Sequence, residues 1–95
     1  MPESDNEDEI VALRAKLEMN PQDHLARFLL GRALVQKERY TEAMAELQRA
    51  RHDVRIQRDC LLLMAEATSR LGMSDLSDSL RHKAQDLPPN TEDTG

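Results

Sequence analysis

An all-α fold of antiparallel helical hairpins is what this sequence predicts, on three observations. Ala, Leu, Glu, Arg, Gln and Met dominate and β-branched residues are few, a composition that favours helix over strand. Apolar residues recur every three or four positions, in stretches closed by Asn20-Pro21, Gly72 and Pro88-Pro89, points at which a helix stops. The chain also echoes itself. At an offset of 34, Phe28-Leu29-Leu30-Gly31-Arg32-Ala33 meets Leu62-Leu63-Met64-Ala65-Glu66-Ala67, and Ala50 meets Ala84. A fixed period of this size signals stacked helical hairpins.

Five helices are expected, at about 6–19, 24–37, 41–52, 55–71 and 75–87. Residues 1–9 carry five acidic residues and no base, and are read as a flexible acidic N-terminus whose end starts the first helix through the capping-box spacing of Ser4 and Glu7. Ile10, Leu13 and Leu17 then form one stripe, with Ala12 and the stem of Lys16 beside it. Asp23 caps the second helix, which is apolar on two adjacent faces (Ala26, Leu30, Ala33 and Leu34; Leu25, Phe28 and Leu29), the mark of a helix held between neighbours. Thr41 caps the third, with Ala43, Met44, Leu47 and Ala50 inward; Asp53 caps the fourth, with Ile56, Cys60, Leu61, Met64, Ala67, Thr68 and Leu71 in line. Ser74 or Asp75 caps the fifth, which carries Leu76, Leu80, Ala84 and Leu87. The helical domain spans 10–89, and 90–95, without an apolar residue, is expected to be a disordered tail.

The totals bound the function. Ninety-five residues make one domain with a thin core. The single cysteine, Cys60, fits a reducing compartment and a buried structural thiol. The acidic start does not resemble a signal peptide, and the longest apolar runs are far too short to span a bilayer, so a soluble, cytoplasmic protein without a membrane partner is expected. A net charge of −5 and only two aromatics, Phe28 and Tyr40, argue against nucleic acid. His24, His52 and His82 fall in different parts of the register, so no metal site is expected. No nucleophile triad, phosphate-binding loop or paired carboxylate can be assembled, so no enzyme, cofactor or small-molecule substrate is expected.

The stretch Leu30-Gly31, Leu34, Tyr40, Ala43, Leu47, Ala50 resembles one repeat of the tetratricopeptide repeat family. Residues 58–89 resemble a degenerate second repeat that keeps Ala65, Gly72, Ala84, Leu87 and Pro89, but has Ser74 in place of Tyr40 and Ser77 in place of Ala43. Leu76 and Leu80 sit one place off the stripe, which raises a one-residue shift after Gly72. Residues 10–21 are similar to the second helix of a preceding half repeat. The resemblance implies a two-and-a-half-repeat, right-handed array that serves as an adaptor or scaffold for other proteins. Its concave groove would be lined by Leu25, Phe28, Arg32, Gln36 (with Val35 as its neighbour), Leu62, Glu66, Ser69 and Arg70, facing a helix or an extended peptide. Phe28 and Leu62 have a second reading, as residues that complete the core. The Lys and Asn with which some members clamp chaperone tails are missing, since Phe28, Arg32, Leu62 and Glu66 stand there.

Two further readings concern other surfaces. The last hairpin lacks the extra helix that usually covers it, so Met73, Leu76 or Leu80 would be partly exposed, and homodimerisation through that hairpin or through the groove is the alternative function. Arg49, Arg51, Arg55 and Arg58 form one basic cluster, either a solvated loop or a dock for an acidic partner segment.

Overall fold

The computed structural model describes residues 2–87, the first five of them by backbone alone. The chain forms α1 (Pro2–Met19), α2 (His24–Gln36), α3 (Tyr40–Ala50), α4 (Gln57–Arg70) and α5 (Ser74–Asp86), and no strand is found among the described residues. The expected tail at 90–95 lies outside them.

Packing follows the expected order. α2 pairs with α3 and α4 with α5; α1 packs on α2, α3 on α4, and α2 also touches α4. Among the described residues the backbones of α1 and α3 do not approach one another, nor do those of α3 and α5. The result is two layers, α2 and α4 in one, α1, α3 and α5 in the other. The molecule measures 36 × 35 × 22 Å, and its thin dimension is about two helix diameters.

Between the layers lie Ile10, Leu13 and Leu17 of α1, Leu30 and Leu34 of α2, Leu47 of α3, and Cys60, Leu61 and Met64 of α4, all buried. The closest passage is at Gly31. A Cβ there would stand 2.6 Å from both Cγ and Cδ2 of the fully buried Leu47. Glycine therefore lets α3 lay a large side chain directly on the backbone of α2. The equivalent contact in the second hairpin uses other chemistry. Ala65 replaces Gly31, and the buried Ser77, in the place of Ala43, donates its hydroxyl to the Ala65 carbonyl at 2.8 Å. Thr68 Oγ1 donates to the same carbonyl at 3.1 Å, so both buried hydroxyls are satisfied.

Several boundaries differ from expectation. α1 begins at Pro2, so residues 2–9 are helical and the Ser4–Glu7 box does not start the helix. Proline suits a first helical position, and acidic residues suit the positive end of the helix dipole. Glu7 also reaches Lys37 at 3.5 Å and Arg39 at 3.6 Å, tying this first stretch to the α2–α3 turn. Ala12 and Lys16 are exposed rather than part of the stripe. α3 opens at Tyr40 behind Arg39, so Thr41 is inside the helix; α5 opens at Ser74 behind Met73, so neither Ser74 nor Asp75 is its cap. Leu71 is exposed at the end of α4. The start of α5 lies 34 residues after that of α3, so there is no backbone shift after Gly72; only the filling residue moves, from the position of Leu47 to that of Leu80.

Asp23 caps α2 as expected, accepting from the Ala26 N–H at 3.0 Å. α2 and α4 end in the same way, 34 residues apart. Arg39 N–H donates to the Leu34 carbonyl and Glu38 N–H to Val35; Met73 N–H donates to Thr68 and Gly72 N–H to Ser69. Both are Schellman endings whose pivot residue needs a positive φ. Gly72 provides it at 83°, whereas Glu38 is forced to 63°. An L-residue in that region carries about 1–2 kcal/mol of strain. Glu38→Gly is therefore expected to stabilise the protein by about 0.5 kcal/mol after the loss of unfolded-state restriction, raising Tm by about 2–4 °C. Gly72→Ala is expected to lower stability by about 1 kcal/mol or more. Equal responses at the two pivots in thermal melts would contradict the assignment.

Candidate partner-binding surfaces

The outward face of the α2–α4 layer carries most of the expected groove. Leu25, Arg32 and Gln36 lie at positions i, i+7 and i+11 of α2, and Leu62, Glu66 and Ser69 at i, i+4 and i+7 of α4; all are exposed, as is Arg70. Leu25 is 53% exposed and Leu62 40%. Phe28 stands apart from this set, at 9% exposure within the core.

Phe28 and Leu62 are register equivalents, so the contrast calls for a cause. Val35 is buried like Phe28, and its counterpart Ser69 is exposed like Leu62. The feature that separates the two helices is a following neighbour in their layer. α2 has α4 beside it, and among the described residues nothing lies beyond α4. The same comparison separates α5 from α3. Tyr40, Met44 and Leu47 of α3 are half-buried or buried, while the equivalent Ser74, Asp78 and Arg81 of α5 are exposed and polar. A polar outer face is what a terminal repeat requires. Met73 and Leu76 are exposed as expected, but Leu80 is buried, at 6% exposure, because the apolar stripe of α5 turns toward α3 and away from the open end.

The basic cluster is largely engaged within the chain. Arg58 Nε donates to the Ala84 carbonyl at 3.2 Å, joining α4 to the end of α5. Arg51 donates to Gln48 Oε1 at 3.1 Å. Arg55 clasps Asp53, with Nη2 on Oδ2 at 2.7 Å and Nε on Oδ1 at 3.1 Å. Arg49 is exposed. Asp53 also accepts the Arg55 backbone N–H at 2.9 Å, so it closes a turn before α4 rather than capping that helix, which starts at Gln57.

Of the remaining reactive groups, Cys60 is fully buried, and burial, aided by Asp59, pushes its thiol up to about 12. It is thus an inert core residue. His52 and His82 are exposed, and His24 is half-buried at the start of α2. Among the described residues no group of three or more His, Cys, Asp or Glu could hold a metal ion. No helix there is long and apolar enough to cross a membrane.

The layered hairpins, the matched Schellman endings and the Gly31 passage make one repeat followed by a variant of it. A family model described as tetratricopeptide repeat matches residues 3–59, more than half of the chain. The chain belongs to the tetratricopeptide repeat family. The match takes in α1, α2, α3 and the first residues of α4; the degenerate second hairpin lies beyond it. Tetratricopeptide repeats are in general modules for protein–protein interaction, and that coarse role applies here. Neither curated proteins nor solved structures give a significant match.

Asp53 offers a test of the α3–α4 turn. The Arg55 side-chain and backbone hydrogen bonds, helped by its charge, hold the Asp53 carboxyl at about 2, below the ordinary 3.8. A lowered carboxylate adds stability that is complete above its ordinary pKa and vanishes as pH falls through the folded value. Asp53→Asn should therefore lower Tm at pH 7, and the gap from the native protein should close as pH drops from about 4 to about 2. A gap that stays constant across that window would show that the ion pair does not stabilise the fold.

Proposed function

We propose that this tetratricopeptide repeat protein is a cytoplasmic adaptor or scaffold that holds a helix or extended peptide of another protein against the outward face of α2 and α4, the concave side in the family's arrays. The supporting observation is the pair of exposed leucines, Leu25 and Leu62, one on each of two touching helices. Arg32, Gln36, Glu66, Ser69 and Arg70 are exposed beside them and supply polar partners. Apolar anchors flanked by mixed charges suit an amphipathic segment. A cytoplasmic setting is supported by the free, buried Cys60.

Phe28 acts from beneath, as a core residue that fixes the spacing of the two helices. That separates binding from folding. A photo-crosslinker at Leu62 is expected to capture a distinct polypeptide in cells, and one at Gln85, on the far side of α5, is not. Leu62→Glu in a chain labelled at Leu25 should abolish capture with melting unchanged, whereas Phe28→Glu should destabilise the fold by about 3 kcal/mol or more. A captured product of twice the chain's own mass would replace the adaptor by a homodimer. Equal labelling from Leu62 and Gln85 would overturn the site.

A further inference from the structure

The second layer contains two clefts, because the backbones of α1, α3 and α5 stand apart. The first runs between α1 and α3 over α2, and is lined by Arg14, Leu17, Arg27, Leu30 and Glu46 among others. The second runs between α3 and α5 over α4, with Met44, Gln48, Arg51, Met64, Leu76 and Lys83 among its lining residues and a volume of about 170 Å³. The clefts are equivalent in the 34-residue register: Leu30 on one floor corresponds to Met64 on the other, and Arg14 on one wall to Gln48.

The first cleft is bridged by charge. Arg14 meets Glu42 at 3.5 Å across the two helices, and Arg27 meets Glu46 at 2.9 Å with both side chains largely shielded. Arg27 also donates to the Pro21 carbonyl at 2.9 Å. Each of these groups has a counterpart in the second cleft, and neither pair survives. Glu42 corresponds to Leu76 and Glu46 to Leu80; Arg14 corresponds to Gln48 and Arg27 to Leu61. The charged groups that bridge the first cleft are replaced in the second by three leucines and a glutamine, and Leu76 is left 44% exposed. No carboxylate lines the second cleft, although the chain as a whole carries a charge of −5. Its two charged lining residues, Arg51 and Lys83, are both cations, one on each wall. Among the described residues neither is paired with an acid; Arg51 holds only the neutral Gln48.

We propose that the α3–α5 cleft is a second binding surface, distinct from the α2–α4 face, and that it takes an acidic amphipathic helix of a partner protein. Apolar side chains of that helix lie on Met44 and Leu76, over the buried Met64, and its carboxylates meet Arg51 and Lys83 from the rim. The charge sign selects the occupant: a basic or neutral helix of the same apolar pattern gains nothing at the rim. The equivalent first cleft is larger, at about 250 Å³, but both cations that line it, Arg14 and Arg27, are already paired with carboxylates.

The test uses the full chain and two synthetic fluorescent peptides of about four helical turns, with leucines at i, i+3, i+4 and i+7 and either glutamates or lysines at the flanking positions. The acidic peptide should bind, its affinity falling with added salt, and the basic one should bind at least about tenfold more weakly. Lys83→Glu and Leu76→Ser, both at exposed positions, should each weaken the acidic peptide by about tenfold with melting unchanged, and Leu62→Glu should leave it unaffected. Amide shifts on titration should map to Met44, Arg51, Leu76 and Lys83. Binding of both peptides alike, no binding of the acidic one, or loss of binding with Leu62→Glu and not with Lys83→Glu would overturn the proposal. So would light scattering that shows a dimer abolished by Leu76→Ser, since the occupant would then be a second copy. The two surfaces fail separately, because Leu62→Glu reports on one and Lys83→Glu on the other.

Discussion

The contact between Gly31 and Leu47 sets the geometry of the first hairpin and, through it, the array. A thin core has few large side chains to deploy, and Leu47 is among the largest that are fully buried. It reaches that state only because α2 presents bare backbone opposite it. The approach brings α2 and α3 into a tight pair, leaves α1 and α4 to pack on the pair's two sides, and fixes which face of α2 remains outward. Leu25, Arg32 and Gln36 lie on that outward face by consequence. The second hairpin meets the same need with Ala65 and a buried serine hydroxyl, a more polar solution at the same place in the register.

Register equivalence does not mean equal environment, and the useful differences come from that. Phe28 and Leu62 occupy one position in two repeats, yet one is core and the other surface, because α2 has α4 beside it and, among the described residues, no helix stands beyond α4. Tyr40, Met44 and Leu47 become Ser74, Asp78 and Arg81, which gives α5 an exposed polar face where α3 is apolar. Glu42 and Glu46 become Leu76 and Leu80, which leaves one cleft without the ion pairs that bridge its counterpart. A short array thus carries two unlike faces, one mixed in charge and one cationic.

The hairpin order, the buried stripes of α1 and α3, the Asp23 cap and the Gly72 ending were all legible in the sequence, since each depends on local spacing. Helix starts were less so. Asp53 reads as a cap because it precedes an apolar stripe, but its carboxylate is turned back onto Arg55. Glu38 gives no sign of a positive φ, and only its distance of 34 residues from Gly72 could have exposed it. The residues expected to line a groove share an exposed face, apart from Phe28, whose burial depends on what stands beside α2. The α3–α5 cleft was hidden because its meaning lies in a comparison of pairs. Leu76 and Leu80 looked merely out of step until the ion pairs at Glu42 and Glu46 showed what they had replaced.

A double-mutant cycle at Gly31 and Leu47 tests the account most directly. Gly31→Ala should destabilise the native protein by about 1 kcal/mol, the cost of overpacking outweighing the better helix propensity. In a Leu47→Ala background the same change should become stabilising by about 1 kcal/mol, because the clash is gone and the propensity remains, for a coupling of about 2 kcal/mol. A coupling near zero would mean that α3 does not lie on the backbone of α2 at Gly31, and the stacked-hairpin geometry built on that contact would be wrong.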